Sequence, residues 1–271
     1  MEDYTNPEIT EEENLEEEEL SFSDKIVGVF SEPKATFESI AKFDLKFTDW
    51  FLPLIIVAIL AISSQYILMM SPEIKHELVK KQTEAIQEQF DEAVKNGDMT
   101  QEQADRQMDI MSEHMGSTNP LFMVIGLISG VIFFFIVFFV IATFYFILAK
   151  FILKGDGSYT GAMIAASMPM FINLVQLILI IIVSLAMGVY IKGFSIATLL
   201  GMDTTTITGF LLSRFEVFSI FGYTVTGIAL AKLFKSESVT KYVVSVLASW
   251  LIVTSIMFYL AQSFKFLQNM I

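Results

Sequence analysis

The chain has 271 residues, 54% of them hydrophobic, no cysteine, and a formal net charge of -13. A mean hydropathy of +0.60 excludes a disordered polypeptide and fits a polytopic membrane protein. The missing cysteines exclude disulfides, thiolate catalysis and cysteine metal sites, and the acidic balance argues against nucleic acid as a partner.

The acid is concentrated at the start, where ten of the first 20 residues are Asp or Glu. Like charges at that density repel and leave no core to bury, so residues 1–21 are expected to be a disordered tail. No apolar run that would make a cleavable signal peptide occurs here, so the first span serves as its own insertion signal. Residues 22–50 carry two short amphipathic helices. Ser23 is expected to cap the first, and Ser31-Glu32-Pro33 to restart the chain as the second. Phe37, Ile40 and Ala41 share one face of that second helix. The pair either lies in the membrane interface, the favoured reading, or packs on the membrane helices.

The first span is expected at about 51–70, with Trp50 as an aromatic anchor at the boundary. Residues 71–116 then read as a helical hairpin outside the membrane. Asn96-Gly97 ends its first arm, and Thr100-x-x-Gln103 is a capping box for the second. Ala104, Met108, Met111 and Met115 recur at helical spacing, with Leu78, Ile86, Phe90 and Ala93 able to face them. Methionines in such a stripe form either the seam of the hairpin or an adaptable binding surface.

The second span lies within 121–149, 29 residues without a charge. As a helix they extend about 43 Å, more than the roughly 30 Å of a bilayer's hydrocarbon core. A run this long has no water to satisfy its amides, so it must be helical. A loop containing Gly155-Asp-Gly157 follows and reads as a tight turn. Pro169 interrupts the next apolar run, because proline removes an amide donor and clashes with the preceding turn. A short helix at the interface should precede it, with the third span at about 170–190. Residues 192–213 suggest a surface loop with a short amphipathic helix, or a shallow re-entrant segment. The fourth span, about 215–234, has Glu216 and Lys232 at its ends and is the least apolar. The fifth is expected at 242–261, followed by a short tail over 263–271.

Five spans put the ends of the chain on opposite sides of the bilayer. Nine Lys or Arg residues fall on the N-terminal side and eight on the other, five of which are spread along the hairpin. Charges near span ends and in short loops set orientation, so the bias favours a cytoplasmic N-terminus.

Three pieces together resemble the Ypt-interacting protein (Yip) domain family, and in particular its bacterial branch. The first is Val29-Phe-Ser-Glu-Pro-Lys-Ala-Thr-Phe-Glu-Ser-Ile40 with Trp50-Phe-Leu-Pro-Leu54. The second is Gly155-Asp-Gly-Ser-Tyr-Thr160 leading to Ala165-Ala-Ser-Met-Pro169. The third is Arg214-Phe-Glu-Val-Phe-Ser-Ile220 with Lys235 and Lys241. The likeness covers about residues 25–262, and the tryptophan often found in the family near Phe221 is absent. The resemblance implies a five-span integral membrane protein with a cytoplasmic N-terminus, in a bacterial cytoplasmic membrane or, alternatively, an ER or Golgi membrane. Eukaryotic relatives associate with small GTPases of the Rab type, and only that analogy brings such a partner into view.

Chemistry is sparse. The two histidines, His76 and His114, fall near the base of the hairpin and read as surface residues; no cofactor and no metal site is nominated. Asn173 and Gln176 share a helix face beyond the break at Pro169, and Arg214 and Glu216 stand at the mouth of the fourth span. These four form the candidate intramembrane polar site, since polar groups in lipid either mark a pathway or join helices. The candidate interaction surface is Met108, Met111 and Met115. The sequence thus predicts an all-α polytopic membrane protein, non-enzymatic, organising the lipid bilayer and other membrane proteins or copies of itself. The alternative is a transporter or channel component whose polar feature lies at midplane.

Overall fold

The computed structural model describes residues 18–114 and 120–263. Most of the acidic tail, Met115 and the last eight residues lie outside them. Among the described residues every regular element is helical, and the chain is an all-α polytopic membrane protein.

Helix α1 (Phe22–Ser31) is capped by Ser21, whose Oγ accepts from the Asp24 amide at 3.2 Å. The cap is therefore Ser21 rather than Ser23. Helix α2 (Pro33–Lys42) starts at a proline, whose missing N–H is no loss in a first turn. Ser31 closes α1 instead of capping α2, with its hydroxyl donating to Val27 O at 3.1 Å. Phe37 and Ile40 of α2 are buried among core residues of the bundle, so their apolar face is covered by protein.

Helix α3 (Phe47–Leu68) is the first span. Helix α4 (Pro72–Asn96) is capped by Ser71 and ends at Gly97, whose φ of 79° is the left-handed conformation that glycine adopts freely. Helix α5 (Gln101–His114) opens with the expected reciprocal cap between Thr100 and Gln103. Helix α6 (Pro120–Ile147) runs on into a π-helical turn, Leu148–Ile152. Helices α7 (Tyr159–Ser167) and α8 (Met170–Met187) follow one another across Pro169 and together form one candidate span. Helix α7 is covered by protein: Gly161–Ser167 are all buried, against α3, α6 and a later helix, Val217–Leu233.

Two short helices, α9 (Ile196–Leu199) and α10 (Ile207–Ser213), occupy the ambiguous stretch. Helix α11 (Val217–Leu233) is bent 60° from α10, and α12 (Val239–Ser263) is the last span. Among the described residues four helices are long and apolar enough to cross a membrane, and the bent pair α10–α11 makes a fifth candidate if its two helices form one span.

Contacts at the helix ends sort the connections into two groups. At one end, Lys232 of α11 pairs with Glu38 of α2, and Asp156 N donates to Phe234 O at 2.9 Å. At the other, Glu77 of α4 accepts from Tyr190 N at 3.2 Å, Ile196 N donates to Phe215 O at 3.2 Å, and Phe210 stacks on Phe258. Helix α11 runs from the second group to the first, so it traverses the bundle. Its 17 residues span about 26 Å, slightly under the hydrocarbon thickness.

Gly155 and Gly157 have a different role from the tight turn expected. Neither has positive φ; the residue that does is Lys154, at 58°. A Cβ on Gly155 would lie 2.2 Å from the Tyr242 hydroxyl, and one on Gly157 would lie 2.6 Å from the Phe234 ring. These glycines let the loop press against the junction of α11 and α12.

Candidate functional site

A cavity of about 440 Å³ lies between α6, α8, α11 and α12. The break before α8 shapes one wall. Pro169 cannot donate, and the turn tightens locally, with Phe171 N reaching Met168 O at 3.3 Å and Ile172 N reaching Pro169 O at 3.0 Å. Pro169 and Asn173 both line the cavity. The Asn173 amide lies over Gly222 of α11, where an added Cβ would sit 3.4 Å from its Oδ1.

The other three sequence-nominated polar residues lie elsewhere. Gln176 is one turn beyond Asn173, but its Nε2 faces the Gly193 segment, and it is not among the cavity's lining residues. Arg214 stacks over the Phe210 ring at 4.7 Å, and its Nε donates to Ser213 Oγ at 3.2 Å. Glu216 is buried as the N-cap of α11 and accepts from the Phe218 amide at 3.2 Å and the Ser219 amide at 2.6 Å. Both carboxylate oxygens are thereby engaged by the positive end of the helix. Glu216→Ala is expected to lower stability by about 1 kcal/mol, read as a drop in the thermal midpoint in detergent, with Glu216→Asn retaining most of it.

On α5, Ala104 is buried, Met108 is half-buried and Met111 is exposed; Met115 lies outside the described residues. Helix α5 contacts α4, and the exposed Ile110 stands next to Met111 on an otherwise polar surface. His76 is exposed, and among the described residues no cluster of three His, Cys, Asp or Glu is placed to hold a metal.

An ionic cluster at the N-terminal end of the bundle escaped the sequence reading. Lys25 Nζ, almost fully buried, lies 2.7 Å from Asp49 Oδ1 and 3.0 Å from Glu19 Oε1, and Lys46 also pairs with Glu19. Burial pulls the Lys25 ammonium down, but its hydrogen bonds to Asp49 and Glu19 outweigh that and hold it above the ordinary lysine value. Glu19 is held below the usual carboxylate value, first by Lys46 and then by Lys25. Glu38 is lowered in the same way by Lys232. Together these pairs fix α1 and α2 to the membrane helices.

The cavity contains groups that were not nominated: Tyr145 on α6, Ser219 and Tyr223 on α11, and Ser249 and Trp250 on α12. One signal for them was legible. Ser219, Gly222, Tyr223 and Thr226 recur at helical spacing, a polar and small-residue stripe along one face of α11. Comparison with protein-family models, with curated proteins and with solved structures gave no match.

Proposed function

We propose that this chain is a non-enzymatic, Yip-like integral membrane protein that organises partner membrane proteins, or copies of itself, around a rigid helical bundle. The observation that carries this reading is the α4–α5 insertion. It places 25-residue and 14-residue helices outside the five spans, polar over most of their surface but exposing Ile110 and Met111. Such an apolar patch on a charged helix suits an adaptable contact with another protein. The use of Glu216 as a helix cap weighs against the transporter alternative, since an engaged carboxylate is a poor proton relay.

The proposed orientation puts the N-terminus in the cytoplasm of a bacterial cell. Lys42, Lys150 and Lys235 border one hollow at the N-terminal end, which supports the lysine bias read from the sequence. The test is purification of the full chain in mild detergent, beside a version with residues 71–116 replaced by a short linker. A co-purifying partner or second copy should be lost with the insertion and kept in Asn173→Leu/Gln176→Leu. If the deletion changes nothing while the double substitution abolishes solute flux in proteoliposomes, the scaffold reading fails and the transporter reading replaces it.

A further inference from the structure

We propose that the cavity between α6, α8, α11 and α12 binds a long-chain amphiphile with an uncharged carbonyl or hydroxyl head, entering sideways from the bilayer. The site is separate from the partner surface on α4–α5 and stands or falls without it.

The volume of about 440 Å³ lies within the range of small-molecule sites. Among the described residues no Asp, Glu, Lys, Arg or His lines it. A charged head would therefore be desolvated with no counter-charge in the cavity wall, a cost that selects a neutral one. Most of the lining is apolar, and Val140, Phe144 and Val253 also belong to the exposed outer surface of the spans. That side faces hydrocarbon, so the entry route is lateral.

The polar groups make this a built site rather than a gap between helices. Tyr145 is 7% exposed, and its hydroxyl has no hydrogen-bond partner among the described residues. Among the described residues no buried side-chain nitrogen or oxygen is sealed away without a partner, so that hydroxyl opens into the cavity it lines. Asn173, an exposed residue, and Tyr223 line the same space and make no side-chain hydrogen bond among the described residues, with Tyr223 within electrostatic reach of Arg214. The threonines differ: Thr226 and Thr254 donate to their own helices, at Gly222 O and Trp250 O, both 2.9 Å. What remains is two phenols, one carboxamide, the Ser219 and Ser249 hydroxyls and the Trp250 indole N–H around an apolar slot, next to the stacked rings of Tyr223 and Trp250. An acceptor oxygen on a neutral guest satisfies these donors while its chain lies along Val140, Phe144 and Val253.

The test uses the full-length protein in lipid nanodiscs and two photoreactive probes of equal chain length, a diazirine-bearing long-chain alcohol and the corresponding fatty acid. Mass spectrometry of the cross-linked protein is expected to locate the alcohol on cavity peptides of α6, α11 and α12. Excess unlabelled alcohol should compete it away, and the deprotonated acid should label at least about tenfold less. Tyr145→Phe/Asn173→Leu should lower cavity labelling by about tenfold, the loss expected for two neutral hydrogen bonds. Tyr223→Phe, which preserves the stack on Trp250, should lower it by a few-fold. Equal labelling by alcohol and acid, labelling spread evenly over the lipid-facing surface of α6, or no change in the variants while the fold is retained would each overturn the proposal.

Discussion

Asp49→Ala is expected to destabilise the folded protein by about 3–5 kcal/mol, because it leaves the Lys25 ammonium buried with its closest partner gone. Asp49 also accepts from Lys46 N at 3.1 Å, so alanine removes a cap on α3 as well. Asp49→Asn separates the two effects, since it keeps an acceptor for that amide but loses the charge. Lys25→Met/Asp49→Leu should recover much of the loss, because removing both charges spares the desolvation that one alone incurs. The pH dependence follows from the direction of each shift. Lys25 is raised on folding, so its contribution is complete below the ordinary lysine value and is lost as pH rises through the folded value. Glu19 is lowered, so its contribution is present above the ordinary glutamate value and is lost as pH falls through the folded one. Thermal unfolding in detergent should therefore give a plateau of stability between the carboxylate and lysine ranges. In Asp49→Asn the alkaline edge should move to lower pH. An unshifted edge and an unchanged midpoint would mean that the cluster does not hold α1 against α3.

The second large effect is expected at Gly227. A Cβ there would lie 2.5 Å from Val243 Cα and 2.9 Å from Val243 N. The obstacle is backbone, which cannot swing aside as a side chain does, so α11 and α12 must separate to admit even a methyl group. These two helices make the most extensive helix–helix contact in the structure. In lipid their association depends on close packing rather than on expelling water, so lost contact is not recovered elsewhere. Gly227→Leu should cost about 3 kcal/mol or more, with Gly227→Ala intermediate. Gly193→Ala is the control: its nearest neighbour is Gln176 Nε2 at 3.8 Å, and the change should stay within about 0.5 kcal/mol. The measurement is the thermal midpoint of each purified variant under identical detergent conditions.

The sequence showed the spans most clearly where they face lipid and least clearly where they face protein. Helix α6 is the most apolar of the four long spans and the least buried, so its composition alone identifies it. Helix α11 looked weakest because it is rich in Gly, Ala and Thr, yet Gly222, Val225, Thr226, Gly227 and Ala229 are buried against neighbouring helices. Small residues that allow close approach lower hydropathy without lowering membrane character. The same holds for α7, whose Gly-Ala-Met-Ile-Ala-Ala-Ser run occupies the centre of the bundle. Periodicity placed Asn173 and Gln176 on one face, but a single turn of helix was enough to direct one to the cavity and the other to the Gly193 segment. Tyr145 gave no signal at all, since its importance depends on three other helices that only tertiary structure brings near it. Lys25, Asp49 and Glu19 were likewise unremarkable as separate charges until α1 folded back onto α3.

If the bundle crosses the bilayer as proposed, the α4–α5 connection and the turn between α11 and α12 lie on opposite sides. The chain has no cysteine, so a single one can be placed at will. Asp98→Cys, beside the turn after α4, and Ser238→Cys, before α12, are both at exposed positions. Each is treated with a membrane-impermeant maleimide on sealed vesicles of known orientation, before and after permeabilisation. One position should label before permeabilisation and the other only after it; labelling of both from the same face would rule out the transmembrane arrangement.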